Sequence, residues 1–122
     1  MAVTSNEQNE KACRDLVADF ENRGLPRVDW QFLTAQDGGP WLFGIASAAD
    51  MTQAGRITDA YANFLHNSRK TTDRATIENL DSNEDYGTLP IVRAMGERGD
   101  VSVTVSAFVT ENIPRDLSRL IP

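Results

Sequence analysis

Cysteine and histidine are almost missing from this chain of 122 residues, which contains one of each. A lone cysteine forms no disulfide within its own chain, so the sequence is not that of a small disulfide-stapled scaffold. One cysteine and one histidine also supply too few of the nitrogen and sulfur ligands that zinc sites use. We therefore assign no metal site to this sequence.

Motifs that carry common chemistry are missing as well. The chain has no Gly-x-Gly-x-x-Gly or Walker loop, no Cys-x-x-Cys, no His-Glu-x-x-His and no Gly-x-Ser-x-Gly. Cys13 falls on the apolar stripe of the first predicted helix, where we expect a buried and unreactive thiol. We assign no catalytic residue and no cofactor, and a non-catalytic role is favoured over an enzyme.

Basic residues are in deficit, because 12 Lys and Arg face 18 Asp and Glu and the formal net charge is −6. Nucleic-acid backbones are bound mainly through Lys and Arg, so this balance disfavours direct nucleic-acid binding. The local exception is the segment 66–74, whose cations are His66, Arg69, Lys70 and Arg74. We interpret that segment as the solvated end of a helix, where cations are favoured by the helix dipole.

Long apolar runs do not occur either. No stretch approaches the ~18 apolar residues of a membrane helix. The first residues are polar and lack the basic and then apolar pattern of a signal peptide. We therefore expect a cytoplasmic protein that does not enter a membrane.

The remaining composition is that of a globular protein, with 40% apolar and 25% charged residues, and it predicts a single domain over residues 1–122. Two segments have helical apolar spacing. The first predicted helix, over 6–23, begins at a Ser-x-x-Gln capping box. The second is predicted over 51–69, with Asp50 as its cap and an apolar stripe formed by Ala54, Ile57, Tyr61, Phe64 and Leu65.

Alternation of apolar and polar residues predicts the strands of the first half. Residues 28–35 and 41–47 are predicted to form a hairpin, because Asp37-Gly38-Gly39-Pro40 between them is typical of a turn. Trp30 and Trp41 flank this turn, and we expect both to pack in the core, as an aromatic pair if they are cross-strand neighbours.

The second half is also rich in strand signals. Residues 75–80 are predicted to be a short strand, with a helical turn as the open alternative. Residues 88–95 are predicted to be a strand, and Pro90 within them indicates a sheet edge, a strand start or a bulge. A turn is expected at 96–100, after which residues 101–109 form the clearest strand of the chain.

In that last strand Val101, Val103, Val105, Ala107 and Val109 share one face, and Ser102, Thr104 and Ser106 share the other. This pattern predicts a half-buried antiparallel strand with a solvated outer face. Phe108 interrupts the polar face and is expected to rest on a short C-terminal helix. That helix is predicted to begin near Asn112 and to carry Leu117, Leu120 and Ile121.

The predicted order of elements is α-β-β-α-(β)-β-β-short α. It is typical of an α+β domain with an antiparallel sheet of four to five strands and helices packed on one face.

Acidic residues without basic neighbours are concentrated in one segment, at Glu78, Asp81, Glu84 and Asp85. Such a segment attracts a basic partner surface, and the alternative is a solvated acidic loop. Calcium binding is disfavoured, because a calcium loop that begins at Asp81 would need a glutamate at its twelfth position, where the chain has Val92.

Three functions follow as hypotheses. The favoured one is a non-catalytic acidic interaction protein, such as an inhibitor, an immunity or anti-defence protein or an adaptor. It would bind a protein partner through the four acidic residues. The second is a structural or assembly subunit of a phage particle or secretion machine that uses a free strand edge near Pro90. A homo-oligomer is an open alternative for the partner. The third is a small enzyme or ligand-binding domain that uses a cleft between sheet and helices.

Overall fold

The computed structural model describes residues 2–78 and 85–109, with side chains described over 7–74 and 89–109. The elements in chain order are α1 (Ala2–Asn22), β1 (Asp29–Thr34), β2 (Pro40–Ala48), α2 (Met51–Ala62), β3 (His66–Glu78), β4 (Asp85–Arg98) and β5 (Val101–Val109). The predicted first hairpin is confirmed within a residue or two at each end. The predicted C-terminal helix lies outside the described residues.

The five strands form one sheet in the order β1-β2-β5-β4-β3. Neighbouring strands are antiparallel except for β2 and β5, which are parallel. The parallel pair arises because α2 carries the chain from β2 to the far edge at β3, from which β4 and β5 return antiparallel step by step. The predicted α+β fold is confirmed, and the expectation of a wholly antiparallel sheet is wrong at this one pair.

Both helices pack on the same face of the sheet, as predicted. α1 contacts β1 and β2, whereas α2 contacts β2, β3, β4 and β5. The two helices and this face share one buried apolar core, which includes Cys13, Leu16, Phe20, Leu42, Ala54, Tyr61, Val103 and Val105. Burial of this face supplies the main driving force for folding, because it removes apolar area from water.

The opposite face of the sheet is also buried at its centre. Phe43, Ile45 and Phe108 are at most 1% exposed and belong to a second apolar cluster. Ser106 is fully buried on the same face, and its hydroxyl accepts a hydrogen bond from Arg93 Nε over 3.1 Å. The predicted solvated outer face of β5 is therefore wrong beyond Ser102, because neighbouring strands place large apolar side chains beside its hydroxyl groups.

α2 ends at Ala62, and the prediction that it continues to residue 69 is wrong. Phe64 N–H donates to the Tyr61 carbonyl, and Leu65 N–H donates to the Ala62 carbonyl, so the chain leaves the helix through a tightened turn. Leu65 is nevertheless buried in the helix-side core. Its burial explains why the apolar stripe resembles a longer helix.

The free edges of the described sheet are β1 and β3. The prediction of an edge at the strand of Pro90 is wrong, because β4 lies between β5 and β3. In the described part of the chain β5 pairs with β4 from Ile91 to Arg98, so Pro90 lies one residue beyond that ladder. Proline is tolerated there because no partner strand on the β5 side requires its missing N–H.

The connection between β4 and β5 is tighter than the predicted turn over 96–100. Arg98 and Val101 are register partners, which leaves Gly99 and Asp100 as a two-residue loop. Gly99 has a φ of +60°, as the first loop position of a type II′ turn requires. The strand prediction for 75–80 is confirmed up to Glu78, the last residue of β3.

Candidate functional site

Two of the four predicted acidic site residues are brought together at the end of the β3–β4 ladder. Glu78 is the last residue of β3, Asp85 is the first residue of β4, and the two are register partners. Asp81 and Glu84 lie outside the described residues. We call this end of the ladder, with the four acidic residues 78, 81, 84 and 85, the acidic tip.

The acidic tip belongs to a stretch of sheet with few described neighbours. Residues 85–90 of β4 pair with β3, and the described β5 partners begin only at Ile91. The Glu78–Asp85 pair follows a register shift after the Thr76–Thr88 pair of the same ladder. Like charges at opposed positions of an antiparallel pair disfavour strand pairing.

The structure excludes a calcium loop that begins at Asp81. A calcium-binding loop of the EF-hand type is irregular over twelve residues. Residues 85–92, which would form most of that loop, are part of the strand β4. The alternation of Asp81, Asn83 and Asp85 therefore does not carry calcium chemistry of that type.

The basic segment 66–74 lies in the edge strand β3, so its interpretation as a helix end is wrong. All of its side chains are exposed. Lys70 Nζ forms an ion pair with Asp59 of α2, and the Asp73 carboxylate accepts a hydrogen bond from the Arg74 N–H. Local patterning predicts no strand here, because every residue from His66 to Arg74 is polar and no alternation is visible.

A cleft of about 460 Å³ lies between the end of α1, α2 and the start of β1. Its inner wall is aromatic, because Phe20, Trp30 and Tyr61 pack against one another with ring centroids 5.2–5.6 Å apart. The Tyr61 hydroxyl donates a hydrogen bond to the Pro26 carbonyl. The hydroxyl group of Tyr61 is therefore already bonded within the protein.

Tyr61 is not suited to act as a base in this cleft. Burial of the phenol and, to a smaller extent, the negative charge of Glu21 raise the pKa of Tyr61 from 10.0 to about 12. The hydroxyl thus stays protonated at neutral pH. The cleft provides an aromatic surface that is bordered by the charged residues Glu21, Arg27 and Asp29.

Trp30 and Trp41 are not cross-strand neighbours, so the condition for an aromatic pair between them is not met. Trp30 is the register partner of Gly44, and Trp41 is that of Leu33. The two indoles lie on opposite faces of the sheet. Trp41 packs edge-on against Phe43, and its Nε1–H donates to the Thr104 hydroxyl over 3.1 Å. Both side chains are half-buried.

Cys13 is fully buried in the helix-side core, as predicted. Burial, and to a smaller extent the charge of Glu10, raise the pKa of this thiol. His66 lies at the exposed start of β3. The raised pKa keeps the thiol protonated, which is the opposite of what a nucleophilic cysteine needs.

Within residues 2–78 and 85–109 no three acidic, histidine or cysteine side chains are placed to hold a metal ion. In the same part of the chain no helix has the length and apolar character needed to cross a membrane.

Comparisons with known protein families, with curated proteins and with solved structures give no match to this chain. The geometry of the molecule itself is therefore the basis for a functional proposal.

Proposed function

We propose that the protein is a non-catalytic interaction protein that binds a protein partner through the acidic tip. The register pairing of Glu78 with Asp85 is the observation that carries this proposal. It places two carboxylate residues at one end of a two-stranded ladder, and Asp81 and Glu84 occur in the six residues that connect them.

Like charges in directly opposed positions weaken strand pairing, so the acidic tip is explained better by a partner than by the fold. A compact negative surface accelerates encounter with a basic surface and excludes partners of the same charge. An inhibitor, an immunity or anti-defence protein, or an adaptor that occupies a basic surface would use the tip in this way.

The test is affinity purification from the native host with quantitative mass spectrometry. The bait is either the unchanged chain or the variant E78Q/D81N/E84Q/D85N, which removes four negative charges with little change of side-chain size. We expect one or a few proteins to be enriched by the unchanged chain and depleted at least about tenfold with the variant. Recovery of those proteins should also decrease with added salt.

A matched control neutralises four exposed acidic residues elsewhere, in the variant E7Q/E21Q/D29N/E97Q. It changes the net charge by the same amount as the tip variant does. We expect it to recover the same partners as the unchanged chain. Equal recovery by both variants and by the unchanged chain would show that the acidic tip is not the contact.

A structural or assembly subunit is the second candidate function, and the exposed edge strand β3 favours it. The predicted edge at the strand of Pro90 is wrong, and the free edge on this side of the described sheet is β3. Such an edge offers backbone groups to another strand.

A further inference from the structure

The edge strand β3 exposes a polar row over residues 68–74, in which Ser68, Thr71 and Thr72 accompany the charged residues Arg69, Lys70, Asp73 and Arg74. Successive residues of a strand alternate between the two faces of a sheet. Lys70, Thr72 and Arg74 are therefore on the helix side, and Lys70 is held there by Asp59. Arg69, Thr71 and Asp73 are on the other side.

The hydrogen-bonding pattern of β4 shows which backbone groups of β3 face outward. The two-residue loop after Arg98 makes Arg98–Val101 a hydrogen-bonded pair, so the even-numbered residues of β4 bond to β5. The odd-numbered residues of β4 then bond to β3, where their register partners are Arg69, Thr71 and Asp73. Lys70, Thr72 and Arg74 consequently direct their N–H and C=O groups away from the sheet.

One further contact agrees with this assignment. The Arg74 N–H donates to its neighbour Asp73 Oδ1 over 2.8 Å, as an N–H that points away from the sheet can. The outward N–H and C=O groups of Lys70 and Thr72 have the regular spacing that another strand needs.

We propose that β3 pairs with β3 of a second copy of this chain, antiparallel and with Thr71 opposite Thr71, so that the two sheets join into one. A two-fold axis perpendicular to the sheet keeps the helices of both copies on one side. It also places even-numbered residues of one copy opposite even-numbered residues of the other, and odd-numbered residues opposite odd-numbered ones. Lys70 then forms a hydrogen-bonded pair with Thr72 of the second copy, and Thr72 with its Lys70.

Charge complementarity selects this register among those that the two-fold axis allows. With Thr71 on the axis, Arg69 lies directly opposite Asp73 of the second copy, and the pair occurs twice. If Thr72 lies on the axis instead, Lys70 faces Arg74 of the second copy. If Lys70 or Asp73 lies on the axis, that residue faces the same residue of the second copy. Opposed like charges weaken strand pairing, whereas opposed unlike charges support it.

The test measures the mass of the protein by sedimentation equilibrium over about 1 µM to 1 mM, because a seven-residue strand contact is small and its affinity modest. We expect the mass to rise from 13.5 kDa toward twice that value. R69D and D73R should each raise the dissociation constant at least about tenfold, since each change acts twice in a symmetric dimer.

The charge-swapped double variant R69D/D73R should recover the dimer. A mixture of the two single variants should form a heterodimer more tightly than either forms a homodimer, because both opposed pairs are then unlike. Thr72→Pro should abolish association, since it removes an outward N–H at an edge position that tolerates proline. Far-UV circular dichroism checks that each variant is folded.

A protein that stays monomeric over the whole range overturns the proposal. So does a dimer that R69D, D73R and Thr72→Pro leave unchanged. The acidic tip takes no part in this contact, so the tip variant E78Q/D81N/E84Q/D85N should dimerise like the unchanged chain.

Discussion

The indole of Trp30 lies where a side chain at position 44 would have to be. Trp30 and Gly44 are register partners in β1 and β2. A Cβ atom on Gly44 would be 2.5 Å from Trp30 Cζ3 and 2.7 Å from Cε3, and it would lie even closer to Val28 Cγ1. Trp30 in turn packs against Phe20 of α1 and Tyr61 of α2. The absence of a side chain at Gly44 therefore lets one aromatic cluster join both helices to the sheet.

Gly44→Ala should lower the free energy of unfolding by about 1–3 kcal/mol, because the added methyl group displaces an indole that is packed on both sides. Urea denaturation measures the change. Gly55→Ala is the matched control, since nothing lies within 4 Å of its added Cβ in α2. It should stabilise the protein by about 0.5–1 kcal/mol, because alanine is favoured over glycine within helices. Similar losses for both would contradict the packing described.

The N-terminus of α2 depends on two reciprocal hydrogen bonds. Asp50 Oδ1 accepts from the Gln53 N–H over 2.8 Å, and Gln53 Oε1 accepts from the Ala49 N–H over 2.6 Å. Asp50→Ala should lower the free energy of unfolding by about 1 kcal/mol, because it leaves a helix N–H without its partner. Asp50→Asn should retain most of the stability in thermal melts, since asparagine also caps helices. An equally large loss with Asn would argue against the cap.

Because the pKa of Tyr61 is raised, we expect the protein to lose stability at high pH. Its folded-state pKa is raised to about 12 from 10.0, so the stability that it contributes is complete below pH 10 and is lost as the pH rises from 10 toward 12. In Tyr61→Phe this part of the pH dependence should disappear. The substitution should also cost about 1 kcal/mol at neutral pH, because the Pro26 carbonyl loses its donor. Denaturation curves at several pH values measure both effects, and parallel pH profiles for the two proteins would contradict the prediction.

Cys13 should react with a thiol reagent only after the protein opens. Its side chain is fully buried and its pKa is raised, so both access and thiolate fraction are low in the native state. We expect slow labelling by a chromogenic disulfide in buffer and rapid labelling in denaturing urea. Rapid labelling of the folded protein would show that the α1 face opens locally. In that case the reaction rate should follow the opening equilibrium.

Because two acidic residues are register partners at the acidic tip, we expect the protein to become more stable when the charge of one of them is reversed. Asp85→Lys places an unlike charge opposite Glu78 and should raise the free energy of unfolding by about 0.2–1 kcal/mol. Glu78→Lys should act in the same direction, and the double exchange of both residues to Lys should cancel the gain. Additive stabilisation in the double variant would show that the two positions do not interact.

The sequence by itself determined the element types where apolar residues recur with the regular period of a helix or a strand. The helical stripe through Cys13, Leu16 and Phe20 and the alternation of residues 101–109 are of this kind. The capping pair Asp50 and Gln53 and the glycine turn before β2 are equally local, because their hydrogen bonds and backbone angles involve only a few residues. These features predicted two helices on one face of a sheet.

Tertiary structure alone decided where the sheet ends and which polar residues are buried. Ser106 is buried because β2, which is far away in sequence, places Phe43 and Ile45 on the same face of the sheet beside it. The polar segment 66–74 has no pattern of its own, and it becomes a strand because β4 offers it a partner. The crossover through α2 puts this segment at the edge and the strand of Pro90 inside the sheet. Such outcomes depend on long-range pairing, which local periodicity does not contain.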